Sequence, residues 1–287
     1  MDPFVYLSHY GYLAGNVAGG VVSVMDSLTY LRAAVVKFQI AAGLPPTGEL
    51  DPATEAKMGQ RRCGCLDVRR SVLDAKWRKR NLTYFVRDYV GGLSKGDVDD
   101  LIGLAWGDWM AVADIRLTRV MDITGVDIIV STGRGRADGF DGPSGTLAWA
   151  YLATGNDDQL LCRFDLDETW LKDNPSGGIL FRNVACHEFG HLLGLEHSTV
   201  SSALMAPFYN PAVVSPRAAD DIPRIQAYYG PSTTPPVPGP GNVPPNMVRL
   251  TKALKAGVHG DFVLGSDMMA GGFLALLGGD GPPPNVP

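Results

Sequence analysis

The sequence predicts an α+β protein in which a small all-α domain precedes a larger domain with a twisted β-sheet. Residues 1–60 contain short helical patterns joined by turns with proline and glycine, whereas residues 81–230 mix strand patterns with helical patterns. That mixture is typical of α+β domains. The chain has 287 residues, 45% of them hydrophobic, which is enough for one large and one small hydrophobic core.

The periodicity of apolar residues predicts where each element lies. In the first domain, helical patterns cover residues 4–13, 28–41 and 52–59. The third helix is predicted to begin at Pro52, because Asp51 can cap it and proline suits its first position. In the larger domain, helical patterns cover residues 97–120, 178–194 and 218–229, and strand patterns cover residues 82–90, 125–130, 145–152 and 160–166.

Composition excludes several classes of partner. The formal net charge is −5, which leaves no basic surface for nucleic acid or anionic lipid, and we expect neither partner. No apolar stretch is long enough to be a transmembrane segment, and no basic residue precedes the apolar residues 17–25, so a signal peptide is not evident. Residues 231–245 are rich in proline, which predicts a linker. Residues 246–287 are left unassigned.

Three histidines and a glutamate carry the strongest chemical signal. His187 and His191 are four residues apart, so both imidazoles lie on one face of a helix, and Gly194 permits a turn that returns His197 to the same point. Three protein ligands with an open fourth position are typical of a catalytic zinc site. Glu188 could then take a proton from water as the general base. The alternative is a set of ordinary buried histidines.

A methionine downstream of this motif identifies it more closely. Met205 lies in the segment Ser202–Pro207, shortly after the third histidine. The pattern HExxHxxGxxH followed by such a methionine is the metzincin signature, and the segment resembles the Met-turn of those zinc endopeptidases. The resemblance implies a metzincin-type catalytic domain, with a twisted mixed β-sheet and three helices.

A cysteine-containing segment narrows the resemblance to the matrix metalloproteinases, or matrixins. The segment resembles the cysteine switch of that family at Arg62, Cys63, Gly64, Asp67 and Val68. The resemblance implies a latent form in which the Cys63 thiolate replaces water as the fourth zinc ligand. It also implies an ion pair between Arg62 and Asp67.

The segment departs from the family pattern in two ways. Arg61 and Leu66 stand where the family has prolines, and Cys65 is an additional cysteine. Cys65 could compete with Cys63 for the metal or pair with it. The alternative is that this CxC segment is exposed and has no ligand role.

The first domain resembles the peptidoglycan-binding-like domains that also form matrixin prodomains. The matching residues are Phe38-Gln39, Gly43-Leu44 and Thr47-Gly48. Residues 1–60 are therefore predicted to be a prodomain, and residues 61–80 the cysteine switch with an activation linker. In that linker, the basic segment Arg78-Lys79-Arg80 predicts a cut near Arg80 by an activating protease. The alternative is that these charged residues are simply solvent-exposed surface.

The resemblance also implies bound calcium. Residues 139–148 resemble the calcium-binding loop of the family. Carboxylate and carbonyl oxygens that converge from two loops suit this ion. The implied ligands are the side chains of Asp141, Asp165 and Glu168 and the backbone carbonyls of Gly142, Ser144 and Thr146.

The second, structural zinc site of the family is not expected in this chain, so we predict one catalytic Zn²⁺. The four ligand positions hold Arg134, Arg136, Trp149 and Arg163, none of which binds zinc. We expect that a cation–π contact between an arginine and Trp149, together with an ion pair to Asp138, fixes this loop instead.

These observations predict a latent, secreted zinc endopeptidase that acts as a monomer on extracellular matrix or wall proteins. A protein or peptide substrate would add to the edge strand at Ala148. Pro207 and Tyr209 resemble the wall of the family's specificity pocket, with Asn183 near its base. The alternatives are a cell-wall peptidase whose residues 1–60 bind peptidoglycan, and a catalytically inactive binding protein.

Overall fold

The computed structural model describes residues 2–13, 24–68 and 76–233, without the side chains of residues 24–27. These residues belong to one structural unit, Met1–Val237. None of the helices described combines the length and the apolar character needed to traverse a bilayer. Most of the predicted linker and all of the predicted tail, residues 246–287, lie outside the described residues.

Three helices form the N-terminal part and enclose a small core, which confirms the predicted all-α region. They are α1 Pro3–His9, α2 Val24–Ala41 and α3 Pro52–Met58. The Asp51 carboxylate accepts a hydrogen bond from the Thr54 amide at 2.8 Å, so α3 begins where its capping residue predicts. Phe38 is fully buried in this core and makes edge-to-face contacts with Tyr6 and Tyr12.

A mixed six-stranded sheet forms the centre of the larger region. Its strands are β1 Arg62–Cys63, β2 Asn81–Val86, β3 Arg116–Arg119, β4 Ile128–Gly133, β5 Thr146–Ala150 and β6 Leu160–Asp165. Their order is β1-β5-β6-β4-β2-β3. The last four are parallel to one another, whereas β5 runs antiparallel to β6. β1, which comes from the predicted switch, pairs parallel with β5 and covers its free edge.

Two tryptophans hold the zinc-motif helix in place. The remaining helices are α4 Lys95–Val112, α5 Phe181–Leu192 and α6 Asp221–Tyr229, which confirms the predicted number of three. Trp106 of α4 stacks on Phe189 of α5 with ring centroids 3.8 Å apart. The Trp109 indole donates a hydrogen bond to the Cys186 carbonyl at 2.8 Å. Both tryptophans are fully buried, so α5 is fixed against α4 by packing and by a hydrogen bond.

The helix predicted over residues 97–120 is wrong at its C-terminal end. α4 ends at Val112, and residues 116–119 form strand β3. At Ala113 the backbone becomes extended, with φ −129° and ψ 151°, and Leu117 then pairs with Leu82 of β2. Pairing with a strand distant in sequence overrides the local helical pattern.

Other predicted boundaries also differ from the observed ones. The helix predicted from residue 178 begins at Phe181, because Ile179–Leu180 (β8) pairs with Trp170–Leu171 (β7) in a two-stranded sheet. The strand predicted over residues 82–90 ends at Val86. The last helix begins at Asp221, three residues later than its pattern predicts.

Trp77, in the predicted activation linker, is anchored in the core of the catalytic region. Its indole donates to the Leu192 carbonyl at 2.7 Å, and its backbone amide donates to the Tyr229 hydroxyl at 3.0 Å. The Arg80 carbonyl accepts a hydrogen bond from the Arg116 amide at 2.7 Å. A cut near Arg80 would detach Trp77 from the core that it fills. The position of the activating cut near Arg80 stays a prediction.

Replacing Trp77 with alanine tests whether this residue belongs to the catalytic region. We expect Trp77→Ala to lower the free energy of unfolding by about 3–5 kcal/mol, because it removes a buried aromatic ring. Arg78→Ala is the matched control, since the Arg78 side chain is exposed, and we expect a change within about 0.5 kcal/mol. Denaturant unfolding measures both, and equal losses for the two variants would contradict the assignment.

Candidate active site

The three histidines meet at one point because of the way α5 ends. His187 and His191 lie one turn apart on α5, with ring centroids 5.0 Å apart. Gly194 then adopts φ +101°, a conformation that favours glycine, and reverses the chain. His197 returns to within 5.4 Å of the His187 ring and 4.8 Å of the His191 ring, measured between centroids.

Hydrogen bonds orient each imidazole so that its Nε2 atom faces the common centre. Nδ1 of His187 donates to the Leu204 carbonyl at 2.7 Å, and Nδ1 of His191 donates to the Leu195 carbonyl at 2.6 Å. These partners can only accept, so both Nε2 atoms carry the free lone pair. Nε2 of His187 and Nε2 of His197 are buried and have no hydrogen-bond partner in the described part of the chain. Such unpaired nitrogens fit a metal ion.

The Cys63 sulfur completes a four-atom set. It lies 3.5 Å from Nε2 of His191 and accepts a hydrogen bond from the Cys65 amide at 3.3 Å. The ligand atoms of Cys63, His187, His191 and His197 all lie within 4.8 Å of one another. Burial raises the pKa of the Cys63 thiol, and a Zn²⁺ ion at this point would act in the opposite direction by favouring the thiolate. Three nitrogens and one sulfur are a normal tetrahedral zinc set.

Glu188 lies beside this set and is fully buried. Neither of its carboxylate oxygens has a hydrogen-bond partner among the described residues. Burial raises the pKa of Glu188 to about 8, and a cation at the histidines would lower it. A cavity opens next to Glu188 and is lined in part by Asn183, Pro207 and Tyr209. These residues therefore line one cavity together with the carboxylate, and their role in substrate binding stays a prediction.

Met205 packs directly beneath the histidine helix. A Cβ atom placed on Gly190 would lie 2.3 Å from the Met205 sulfur, so only glycine fits there. The buried Asp221 carboxylate accepts hydrogen bonds from the amides of Leu204 and Met205 at 2.7 and 3.0 Å. Sequence analysis did not identify Asp221 as the residue that holds this turn. Its only sequence signal is an acidic residue at the start of the last helix.

The switch segment binds to both sides of the cleft. On one side, the Gly64 amide donates to the Ala148 carbonyl of β5 at 2.8 Å. On the other side, the Cys63 amide donates to the Pro207 carbonyl at 2.9 Å, and the Tyr209 amide donates to the Arg61 carbonyl at 2.9 Å. The positions predicted for substrate are thus occupied by the chain itself.

The predicted ion pair between Arg62 and Asp67 forms in a buried setting. Their closest nitrogen and oxygen atoms are 2.5 Å apart, and the Arg62 side chain is 1% exposed. Three tyrosines that sequence analysis missed surround the pair. The Arg62 guanidinium donates to the Tyr6 hydroxyl at 2.5 Å and lies 3.5 Å from the centre of the Tyr10 ring, and the Tyr12 hydroxyl donates to Asp67 at 2.6 Å. These protein groups therefore replace the water that would otherwise solvate the Arg62 guanidinium.

Comparison with known proteins identifies the family. A family model described as Matrixin matches residues 76–230, which is more than half of the chain. The chain belongs to the matrixin family. A second model, described as a putative peptidoglycan binding domain, matches residues 5–58. Matrixins use catalytic zinc and calcium.

Curated relatives include several matrixins that are longer than this chain. The interstitial collagenase of Oryctolagus cuniculus is 42% identical over 210 residues, covering 68% of this chain and 42% of the collagenase. Matrix metalloproteinase-C of Caenorhabditis elegans is 35% identical over 251 residues, covering 78% of this chain and 42% of its own length. The hatching enzyme of Paracentrotus lividus is 38% identical over 231 residues, covering 78% of this chain and 38% of the hatching enzyme. The chain thus spans less than half the length of these relatives.

The carboxylates predicted to bind calcium lie around one loop of this matrixin. Asp141 accepts a hydrogen bond from the Thr146 amide at 2.8 Å, and Glu168 accepts one from the Ser144 amide at 2.6 Å. One oxygen of the buried Asp165 has no partner among the described residues. Burial and the neighbouring carboxylates, Asp141 among them, raise the pKa of Asp165 to about 6. Acidic groups that repel one another, one with an unpaired oxygen, fit a bound cation.

The candidate calcium ligands at this loop lie farther apart than the candidate zinc ligands at the histidines. Within the described ranges, sets of three or more His, Cys, Asp or Glu ligand atoms that lie within 4.8 Å of one another occur only around the zinc motif. The three carboxylates at the calcium loop form no such set. The carbonyls of Gly142, Ser144 and Thr146 stay predicted ligands.

The loop that carries the structural zinc in other matrixins is held here by an arginine network. Arg163 forms an ion pair with Asp138, and its guanidinium lies 5.8 Å from the centre of the Trp149 ring. The Trp149 indole donates to the Asp138 carbonyl at 2.8 Å. The expected cation–π contact between an arginine and Trp149 and the expected ion pair to Asp138 are therefore both present, and Arg163 makes both. Arg134 pairs instead with Asp167 at 3.1 Å.

We expect one zinc ion per chain because arginines replace the second set of ligands. Elemental analysis of the purified protein measures the ratio of zinc to polypeptide. His191→Ala should remove that zinc, whereas Arg163→Met should leave it in place, since the Arg163 guanidinium cannot coordinate a cation. Two zinc ions per chain, or loss of zinc in the arginine variant, would contradict this account.

Proposed function

We propose that this chain is a latent zinc-dependent endopeptidase that hydrolyses peptide bonds of proteins. The observation that carries the proposal is the convergence of four ligand atoms, from Cys63 and the three histidines, within 4.8 Å of one another. Glu188 belongs to an overlapping set with Cys63 and His191. Membership of a metallopeptidase family supports the reaction class. We assign His187, His191 and His197 as zinc ligands, Cys63 as the blocking ligand and Glu188 as the general base.

The proposed reaction uses the burial of Glu188. When bound, Zn²⁺ would polarise the scissile carbonyl and favour ionisation of the attacking water. Glu188 takes the proton of that water and passes it to the leaving amine nitrogen. Burial raises the pKa of Glu188 and a cation at the histidines would lower it, so the two effects oppose each other in the zinc-loaded site. The same burial limits competition from bulk solvent.

We propose that substrate binds where the switch segment lies in the latent form. Once that segment leaves, the carbonyls of Ala148 and Pro207 lose their present donors, Gly64 and Cys63. An extended peptide can supply backbone amides to both. A substrate side chain would then enter the cavity beside Glu188, next to Tyr209.

We further propose that the protein is secreted and cleaves proteins of an extracellular matrix or wall. The names of two relatives, an interstitial collagenase and a hatching enzyme, motivate this proposal. The N-terminal helices support a prodomain role more than wall binding, because Tyr6, Tyr10 and Tyr12 enclose the ion pair of the switch. We also propose calcium at Asp141, Asp165 and Glu168, on the evidence of the unpaired Asp165 oxygen.

Replacing Glu188 with glutamine tests the general base. In a Cys63→Ser background, so that latency does not mask the result, we expect kcat to fall on the order of 10²–10⁴-fold. Zinc content should stay unchanged, because Glu188 is not an assigned ligand. Cleavage of a quenched peptide and elemental analysis are the two readouts. Unchanged kcat with zinc bound would overturn the role of Glu188.

Matched serine variants of the two switch cysteines test the latch. We expect Cys63→Ser to cleave peptide without any activating treatment, because serine is a much poorer zinc ligand than a thiolate. Cys65→Ser should remain latent, since the Cys65 sulfur contacts β5 and lies outside the histidine set. Peptide cleavage by both freshly purified, zinc-loaded variants decides the point. An active Cys65→Ser beside a latent Cys63→Ser would reverse the two roles.

A further inference from the structure

Cys65 is a buried thiol with no role in the latch as described so far. Its sulfur donates a hydrogen bond to the Ala150 carbonyl at 3.2 Å and accepts one from the Ala150 amide at 3.4 Å. Both bonds go to the backbone of β5. Unlike Cys63, it is absent from the set that contains all three histidines. A serine hydroxyl could make the same two bonds, so the hydrogen bonds alone do not require a thiol.

The two sulfurs lie close together. Cys63 and Cys65 are both free thiols and both buried. Their sulfurs fall within 4.8 Å of each other, in a set with His191 and Glu188. Formation of a disulfide requires them to approach to about 2.05 Å, which needs rotation of the side chains and adjustment of one short segment. Gly64, the residue between them, adds no side chain that would hinder closure.

We propose that Cys63 and Cys65 form a dithiol modification site, which a low-molecular-weight disulfide oxidises to release the latch without proteolysis. The proposal rests on the proposed latency through Cys63. Its substrate class is a small disulfide such as oxidised glutathione. The product is an intramolecular disulfide between the two switch cysteines.

The chemistry balances as two thiol–disulfide exchanges. The thiolate of one cysteine attacks the small disulfide, forms a mixed disulfide and expels one small thiolate. The second cysteine then attacks the protein sulfur of that mixed disulfide and expels the other small thiolate. The protein loses two protons and two electrons, and one small disulfide becomes two small thiols. Cys63 then has no thiolate to place on a metal ion.

Oxidation would also loosen the contact between the switch and β5. The Cys65 sulfur must leave the Ala150 backbone to reach Cys63, so two hydrogen bonds to β5 are lost. The Arg62–Asp67 ion pair is not consumed by the reaction, and it keeps the oxidised segment tethered to the tyrosines around it. Because the chain stays uncut, reduction lets the segment return. The modification would therefore be reversible, unlike cleavage.

The test uses the full-length, zinc-loaded chain and its Cys65→Ser variant. Both are equilibrated with mixtures of oxidised and reduced glutathione, free thiols are alkylated, and trypsin releases residues 63–69 as one peptide that contains both cysteines. In the wild type we expect this peptide to escape alkylation and to be two hydrogen atoms lighter than the unmodified dithiol peptide, with peptidase activity rising in parallel and falling again on reduction. The variant should carry only a glutathione adduct on Cys63. It should need about ten-fold more oxidised glutathione for half-activation, because it lacks the intramolecular thiol.

Two outcomes would overturn the proposal. One is a wild-type peptide that carries glutathione but never the internal disulfide. The other is an equal requirement for oxidised glutathione in the wild type and in Cys65→Ser. Failure of the proposed function would look different, because the Cys63→Ser chain would then be inactive although it binds zinc. The peptide mass reports on the disulfide whether or not the protein is a peptidase.

Discussion

A single buried carboxylate, Asp67, joins the N-terminal helices to the metal centre. It pairs with Arg62, accepts a hydrogen bond from Tyr12, and accepts another from Nδ1 of His197 at 2.8 Å. Burial alone would raise the pKa of Asp67, but Arg62 and His197 hold it well below its usual range. Removing one partner of such a buried pair typically costs about 3–5 kcal/mol, because an uncompensated charge remains. The proposed latch would therefore depend on this carboxylate as well as on the thiol.

The latent form and the proposed substrate complex compete for the same backbone groups. The switch segment runs parallel to β5, and its amides bond to carbonyls on both walls of the cleft. Because Gly64 lies against β5, with Thr146 only 2.6 Å from where a Cβ atom would be, the segment fits without a side chain at that position. In the proposed latent form, inhibition would follow from occupation of the cleft by this segment as well as from the Cys63 sulfur. A cut of the chain and the proposed internal disulfide would relieve that inhibition by different chemistry.

The local sequence pattern was sufficient to predict that the three histidines converge, but not to predict where several helices and strands begin and end. The spacing of His187, His191 and His197 sets their geometry through one helix and one glycine turn, so sequence alone predicts how they converge. Strand β3 was missed because its pairing with β2 is non-local. Asp221 and the three tyrosines around Arg62 were missed for a related reason, since each acts on residues far from it in sequence. The burial of Trp77, within the predicted activation linker, likewise becomes evident only in three dimensions.

X-ray absorption at the zinc K-edge tests the central claim most directly, because it reports the atoms bound to the metal without requiring turnover. For the intact zinc-loaded chain, the account predicts one sulfur scatterer at about 2.3 Å together with three nitrogen scatterers. The sulfur should be absent from Cys63→Ser and present in Cys65→Ser. A spectrum of the intact chain with only nitrogen and oxygen scatterers would contradict latency through Cys63, whatever the activity of the variants.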